Sequence, residues 1–321
     1  MADNTVIARY YDDESSSRLI SYQSDGTSRT YEAHDGIVQE PIGVGQAVVF
    51  GVGSDATGRF EIVVWDPEAD KSTVVYESDS WSEYTLSGTD FYFTAPGSAG
   101  EHCIARVDFA DPLSPVDDEV VSCVDAGSDI GWLKSSGGDV SFLTRTEDDE
   151  CWAVNRIHEE TGEVEELAVP GCASRAVVGN ELVVWNETAT GGEDDGFFHT
   201  ELVALGEGEP ISLGDSVAGS QVFCGDWLYW LTERSSPTLE HSEIRRWRGG
   251  ADVETVYISP DGDTSRSEIY STSGPQCDGD ERIFFQRLGW WSGAGDELLS
   301  APGIDWEPQV ELSSTLEQSA E

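Results

Sequence analysis

The apolar residues of this chain fall into short alternating runs separated by glycine-bearing polar stretches, and nowhere do they hold the 3.6-residue spacing of an amphipathic helix for long enough to count. A glycine, usually followed by a polar residue, repeatedly opens such a run. The copies are Gly45-Gln46-Ala47-Val48-Val49-Phe50, Gly88-Thr89-Asp90-Phe91-Tyr92-Phe93 and Gly138-Asp139-Val140-Ser141-Phe142, followed by Gly179-Asn180-Glu181-Leu182-Val183-Val184-Trp185, Gly225-Asp226-Trp227-Leu228-Tyr229-Trp230 and Gly279-Asp280-Glu281-Arg282-Ile283-Phe284-Phe285. Successive glycines stand 43, 50, 41, 46 and 54 residues apart, and counting back 42 from Gly45 reaches Asp3-Asn4-Thr5-Val6-Ile7-Ala8, a seventh copy without its leading residues.

Each copy carries further strands of the same style. Phe60 to Trp65, Cys103 to Val107 and Glu243 to Trp247 follow their glycine runs, and turn residues then lead to runs such as Val74-Val75-Tyr76. One more short strand precedes each glycine, as at Ser82 to Leu86. Seven units of four strands, about 46 residues each, predict an all-β fold, a seven-bladed β-propeller of four-stranded blades, with six or eight blades less favoured. The competing architectures, a pair of β-sandwiches or a β-solenoid, do not account for one motif kept in register seven times. Residues 1–321 then form a single propeller domain, with the tail 314–321 a candidate ring-closing strand.

The cysteines fit the same register. Cys103 and Cys151 occupy equivalent places in neighbouring units, as do Cys123 and Cys172, so each pair can bridge within a blade; Cys224 and Cys277 precede successive glycines and can staple adjacent blades. Three bridges imply an oxidising, extracellular, periplasmic or cell-surface setting, against the alternative of six free thiols.

Charge then limits the partners. Sixty-three acids against 17 bases give a formal charge of −46, which excludes nucleic-acid binding through phosphate neutralisation. No apolar run is long enough for a transmembrane segment, and Met1-Ala2-Asp3-Asn4 does not read as a signal peptide. Eleven Trp, 10 Tyr and 11 Phe argue for a packed core in spite of that charge.

Leu228-Tyr229-Trp230-Leu231-Thr232-Glu233, with Glu243-Ile244-Arg245-Arg246-Trp247 and Gly249-Gly250, resembles the repeat of YWTD-type propellers, and the chain also resembles bacterial secreted propellers of the TolB and NHL kind. The resemblance implies a partner-binding platform more than an enzyme, and six blades for the YWTD group where the repeat here counts seven.

In this register the loops joining second and third strands, Glu233 to His241 among them, share one face and are the most acidic and glycine-rich of the chain. That face is the expected binding surface for a protein or glycan partner, within a larger assembly, with Asp148, Asp149, Asp194 and Asp195 supplying negative potential and the loop pair Trp290-Trp291 the aromatic contact. Asp261, Asp263 and Glu268 alternate around Gly262 as calcium ligands do, although without the EF-hand spacing. Asn186-Glu187-Thr188 fits a glycosylation sequon. No nucleophile elbow, zinc helix or phosphate loop is present, so no catalytic residue is assigned. The alternative function is a carbohydrate-active lyase or lactonase with a metal-assisted site at the channel mouth, for which His34 with Asp12, Asp13 and Arg287 is the nearest assembly.

Overall fold

A computed structural model describes residues 6–11, 17–22, 27–33, 36–44, 47–54, 57–98, 100–109, 119–136, 138–146, 148–158, 161–187, 200–206, 208–235, 239–250, 252–258, 262–263, 269–272, 274–277, 283–290, 296–301 and 307–312. These residues form antiparallel strands arranged in seven sheets. The first sheet has three strands, β1 (Val6–Tyr11), β2 (Ser17–Tyr22) and β3 (Ser28–Ala33). The second holds β4 (Ile37–Val44), β5 (Ala47–Ser54), β6 (Arg59–Asp66) and β7 (Lys71–Ser78); the third β8 (Tyr84–Ser87), β9 (Asp90–Pro96), β10 (His102–Asp108) and β11 (Glu119–Val124). The fourth holds β12 (Ser128–Ser136), β13 (Asp139–Thr146), β14 (Ala153–Ile157) and β15 (Val164–Leu167), and the fifth β16 (Ala173–Gly179), β17 (Leu182–Glu187), β18 (Thr200–Leu205) and β19 (Ile211–Ser216). In the sixth, β20 (Val222–Cys224), β21 (Trp227–Ser235), β22 (Leu239–Trp247) and β23 (Glu254–Ile258) run in order, with β24 (Gly262–Asp263) added against β22. In the seventh, β25 (Ile269–Thr272) and β26 (Gln276–Cys277) both pair with β27 (Ile283–Trp290), which continues to β28 (Asp296–Ala301) and β29 (Glu307–Leu312). The chain divides into two compact units, Met1–Lys134 and Ser135–Glu321.

Among the described residues the main strands of each sheet follow chain order, with the short β24 and β26 added off that path, and in the third, fourth and sixth sheets the repeated glycine (Gly88, Gly138, Gly225) lies in the first hairpin. Gly88 and Gly225, for instance, take φ of 59° and 55°, the left-handed region that a tight two-strand turn requires and that glycine enters without strain. Apolar clusters lie between neighbouring sheets within each unit. Val48, Phe50 and Trp65 of the second sheet pack with Leu19, Ala33 and Val38, while Val49, Phe60, Ile62 and Val64 turn the other way onto Phe91, Phe93, Ala105 and Val107 of the third. In the second unit Val177, Val184 and Leu202 of the fifth sheet meet Phe223, Trp230 and Trp247 of the sixth, whose Val222, Tyr229 and Ile244 meet Ile283 of the seventh. The middle strands are thus buried on both faces, which is why they read as unbroken runs such as Ile62-Val63-Val64-Trp65 rather than as clean alternation. Fourth strands whose burial is described are largely exposed edges that carry charge, as with Glu165 and Glu166 of β15 or Lys71 and Glu77 of β7, which discourages edge-to-edge pairing.

Three disulfides form with the expected pairings. Cys103 on β10 faces Cys123 on β11 directly across the ladder, with Cα atoms 4.0 Å apart, and Cys151 bonds Cys172 (4.9 Å). Cys224 on β20 bonds Cys277 on β26 (5.4 Å), joining the sixth sheet to the seventh. The first sheet has no fourth strand among the described residues, and each strand paired within it comes from the start of the chain. The tail 314–321, expected to close the ring, lies outside the described residues.

Two expected loops are shorter than the sequence suggests. The stretch from Glu233 to His241 is mostly ladder, with Glu233 opposite Ser242 and Ser235 opposite Glu240. Trp290, expected in a glycine-flanked loop, is the last residue of β27 and pairs with Ile269. In both places backbone pairing with the neighbouring strand continues past the polar or glycine residues.

Candidate functional site

The turns joining second to third strands were expected to carry the site. In the second unit, the turn after β13 brings Thr146, Asp148, Asp149 and Trp152 together. Asp148 and Asp149 are both exposed. The Asp149 carboxylate accepts from the Thr146 hydroxyl (2.7 Å) and backbone N–H (3.0 Å), and these bonds hold its carboxyl below the ordinary aspartate range. Asp149 therefore closes its own turn, while Asp148 is left to the solvent. Across the same turn the Arg145 guanidinium lies 4.5 Å from the Trp152 ring centroid, a cation–π contact that fixes both side chains.

In the first unit the same end of the second sheet presents an indole that sequence reasoning missed. Trp81, in the connection from β7 to β8, is 53% exposed. Its ring lies on Gly53 near the end of β5, where any Cβ would overlap it, and Gly51 leaves matching room for Phe60 and Tyr84. Trp81, Phe60 and Tyr84 form a ladder with centroids 5.2 and 6.3 Å apart, continued inward to Phe91 at 5.7 Å. The Gly51 N–H donates to the Tyr84 hydroxyl (2.9 Å), which locks the base of the ladder. The signal was present in the sequence: glycines at alternate positions of an otherwise apolar strand, Gly51 and Gly53, mark a face on which something else lies.

Of the other candidates for a shared site, only Asp263, Arg287 and Trp290 are among the described residues. Asp194, Asp195, Trp291, Asp261, Glu268, His34, Asp12 and Asp13 lie outside the described residues. Asp263 pairs with Leu239 in a short ladder, and Arg287 sits mid-strand in β27 opposite Thr272 and Glu297. Asn186 is fully buried: its amide donates to the hydroxyls of Thr200 (2.9 Å) and Ser216 (2.7 Å), and its carbonyl accepts from the Gly219 N–H (2.9 Å). The sequon's asparagine is thus internal to the fold and has no free amide to offer a glycan. One group of potential metal ligands occurs among the described residues, Glu101 with Cys103 and Cys123, and the disulfide between those two sulfurs removes their thiolate character.

No family model matches the sequence, and a search of curated proteins finds no match. Among solved structures, the propeller domain of the trilobed protease from Pyrococcus furiosus is similar over 97% of this chain and 96% of that one, with a TM-score of 0.64 at 13% identity. The chain has the β-propeller fold. A polysaccharide lyase is similar at a TM-score of 0.62 and 14% identity, covering 95% of this chain and 89% of that one. An acylaminoacyl peptidase from Pyrococcus horikoshii is similar at 0.62 and 12% identity, and this chain spans 53% of its length. The blades are the antiparallel sheets described above, and fold likeness at such identities extends to architecture alone.

Proposed function

We propose that the chain is a non-catalytic binding or scaffolding propeller of an extracellular, periplasmic or cell-surface compartment, recognising a protein or glycan partner at the blade end where second and third strands turn. Trp81 carries this reading. An indole held half-exposed on a glycine, backed by an aromatic ladder into the core, is rigid and costs little further ordering when a partner covers it. Taken by itself, the second unit also fixes an aromatic at the equivalent turn, in the Arg145–Trp152 pair of the fourth sheet. The charge of −46 directs the choice of partner toward neutral glycans or basic protein segments, because a polyanionic substrate would be repelled at long range.

The test is calorimetric titration of the intact protein and of Trp81→Ala with chitotetraose and with a tetralysine peptide. Binding of either probe by the intact protein, weakened at least about tenfold in the variant with unchanged melting temperature, supports the reading. Equal binding by both proteins, or release of an unsaturated uronate product from a polyuronate, overturns it.

A further inference from the structure

One ion-pair device recurs at the same register in three sheets. In the third sheet Arg106 stands opposite Tyr92 on β9 and Glu119 on β11, and reaches Asp90 (3.4 Å) and Glu119 (2.6 Å). In the fourth, Arg156 stands opposite Ser141 and Glu165, and reaches Asp139 (3.7 Å) and Glu165 (2.5 Å). In the sixth, Arg246 stands opposite Tyr229 and Glu254, and its guanidinium pairs with Glu254 (2.8 Å). The first two arginines are held between two carboxylates, one from the second strand and one from the fourth. At the place of Asp90 and Asp139, however, the sixth sheet has Trp227.

The residue two beyond each arginine changes in step. It is Asp108 in the third sheet, His158 in the fourth and Arg248 in the sixth. The rung therefore runs Asp90 with Asp108, Asp139 with His158, and Trp227 with Arg248. Counting the arginine, its fourth-strand acid and these two positions, with His neutral, the formal charge is −2, −1 and +1. The sixth sheet inverts the sign of the device in a protein whose net charge is −46.

The geometry of the inverted device is fixed from several sides. Arg246, only 7% exposed, lies 4.0 Å from the Trp227 centroid, and exposed Arg248 lies 4.6 Å from it. The turn that follows is pinned by the Trp247 indole N–H donating to the Gly250 carbonyl (3.0 Å), and Gly249 and Gly250, both at positive φ, have open space where a side chain would stand. Arg248 forms no ion pair among the described residues. Its guanidinium is thus pre-oriented by the indole and accessible, with its hydrogen-bonding edge unused among the described residues.

We propose that Trp227, Arg246 and Arg248 form a carboxylate-recognition site for an acidic peptide segment, at the end of the sixth sheet opposite its β21–β22 hairpin. Arg248 would supply the two-donor edge that matches a carboxylate, and Trp227 would hold it there. Both guanidinium groups already stack on the indole, so little aromatic face is left for a sugar ring, which favours a peptide carboxylate over a uronate.

The experiment titrates the full chain with an acetylated tetraglutamate peptide and, separately, with tetragalacturonate, following indole fluorescence. It is run in about 1 M salt, where the Debye length falls to about 3 Å and the global repulsion is screened while a contact pair persists. Saturable binding of tetraglutamate, weakened about tenfold in Arg248→Gln and by a similar factor in Trp227→Asp, which restores the third-sheet pattern, is the expected result. Retained binding in Arg248→Lys at reduced affinity would match loss of the two-donor geometry. Binding unaffected by Arg248→Gln, preference for tetragalacturonate, or no binding of tetraglutamate by the intact protein overturns the proposal.

Discussion

Breaking the Cys224–Cys277 bridge should destabilise the second unit more than breaking Cys151–Cys172, although both lie in that unit. The bonds close loops of 53 and 21 residues. In the chain-entropy account a cross-link removes about 2.1 cal/mol/K plus 1.5R ln n from the unfolded state, or about 4.2 kcal/mol for the longer loop and about 3.3 kcal/mol for the shorter at 25 °C. The expected difference is thus about 0.8 kcal/mol, and burial works in the same direction, because Cys224 is only 3% exposed and packs among Val222, Leu231 and Ile283. The comparison uses paired alanine variants, Cys224→Ala with Cys277→Ala against Cys151→Ala with Cys172→Ala, read by urea unfolding under oxidising conditions. With an unfolding entropy near 2.1 cal/mol/K per residue, 1 kcal/mol moves the melting temperature by only about 1.5 °C in a chain of 321 residues, so the denaturant midpoint is the better readout. Equal losses, or a larger loss from the 21-residue loop, would refute the loop-length reasoning.

Two further outcomes follow from the second unit. Gly179→Ala would place a Cβ 2.8 Å from the Phe223 ring and 3.2 Å from the Ser136 carbonyl oxygen, so it should cost about 1–3 kcal/mol by overpacking; Gly274→Ala, whose nearest neighbour is 3.5 Å away, should stay within about 0.5 kcal/mol, both read by urea unfolding. Expression through a glycosylating secretory pathway should leave Asn186 unmodified in folded protein, as intact mass would show, and Asn186→Leu should cost about 1–3 kcal/mol by stranding the Gly219 N–H, while the Thr200 and Ser216 hydroxyls keep their bonds to each other and to the backbone.

The architecture was readable because each blade repeats its instructions. The glycine at the first hairpin, the doubly buried middle strands and the paired cysteines each recur at one register, so local signals agree with one another across the chain. Strand ends were less legible. At Trp290, and between Glu233 and His241, residues typical of loops continue a ladder because the partner strand is present to pair with them, which no local pattern reveals. The sequon failed for a related reason: Asn186 reads as a surface tripeptide, yet it lies on a middle strand whose neighbours supply hydroxyls. Trp81 is a single indole with no motif of its own in the sequence, and the feature that marks it is the pair of alternating glycines, Gly51 and Gly53, on the strand it covers.

Repetition also gives a physical way to separate structural from functional chemistry within one chain. Positions that agree among blades answer to demands common to all of them, such as burying a strand or neutralising an arginine in a ladder. A position that departs does so against an internal control that shares its backbone. Asp149 answers to a local structural demand, since its carboxylate closes the Thr146 turn, so part of that loop's acidity serves turn formation. Trp227 and Arg248 depart in charge from the rungs of the third and fourth sheets while Arg246 keeps its place opposite its fourth-strand glutamate. If the departure were only drift, Trp227→Asp should be tolerated and the rung should regain the Asp–Arg contact of the third sheet without cost. If it marks a site, the same substitution preserves folding and removes binding, so one variant separates the two explanations.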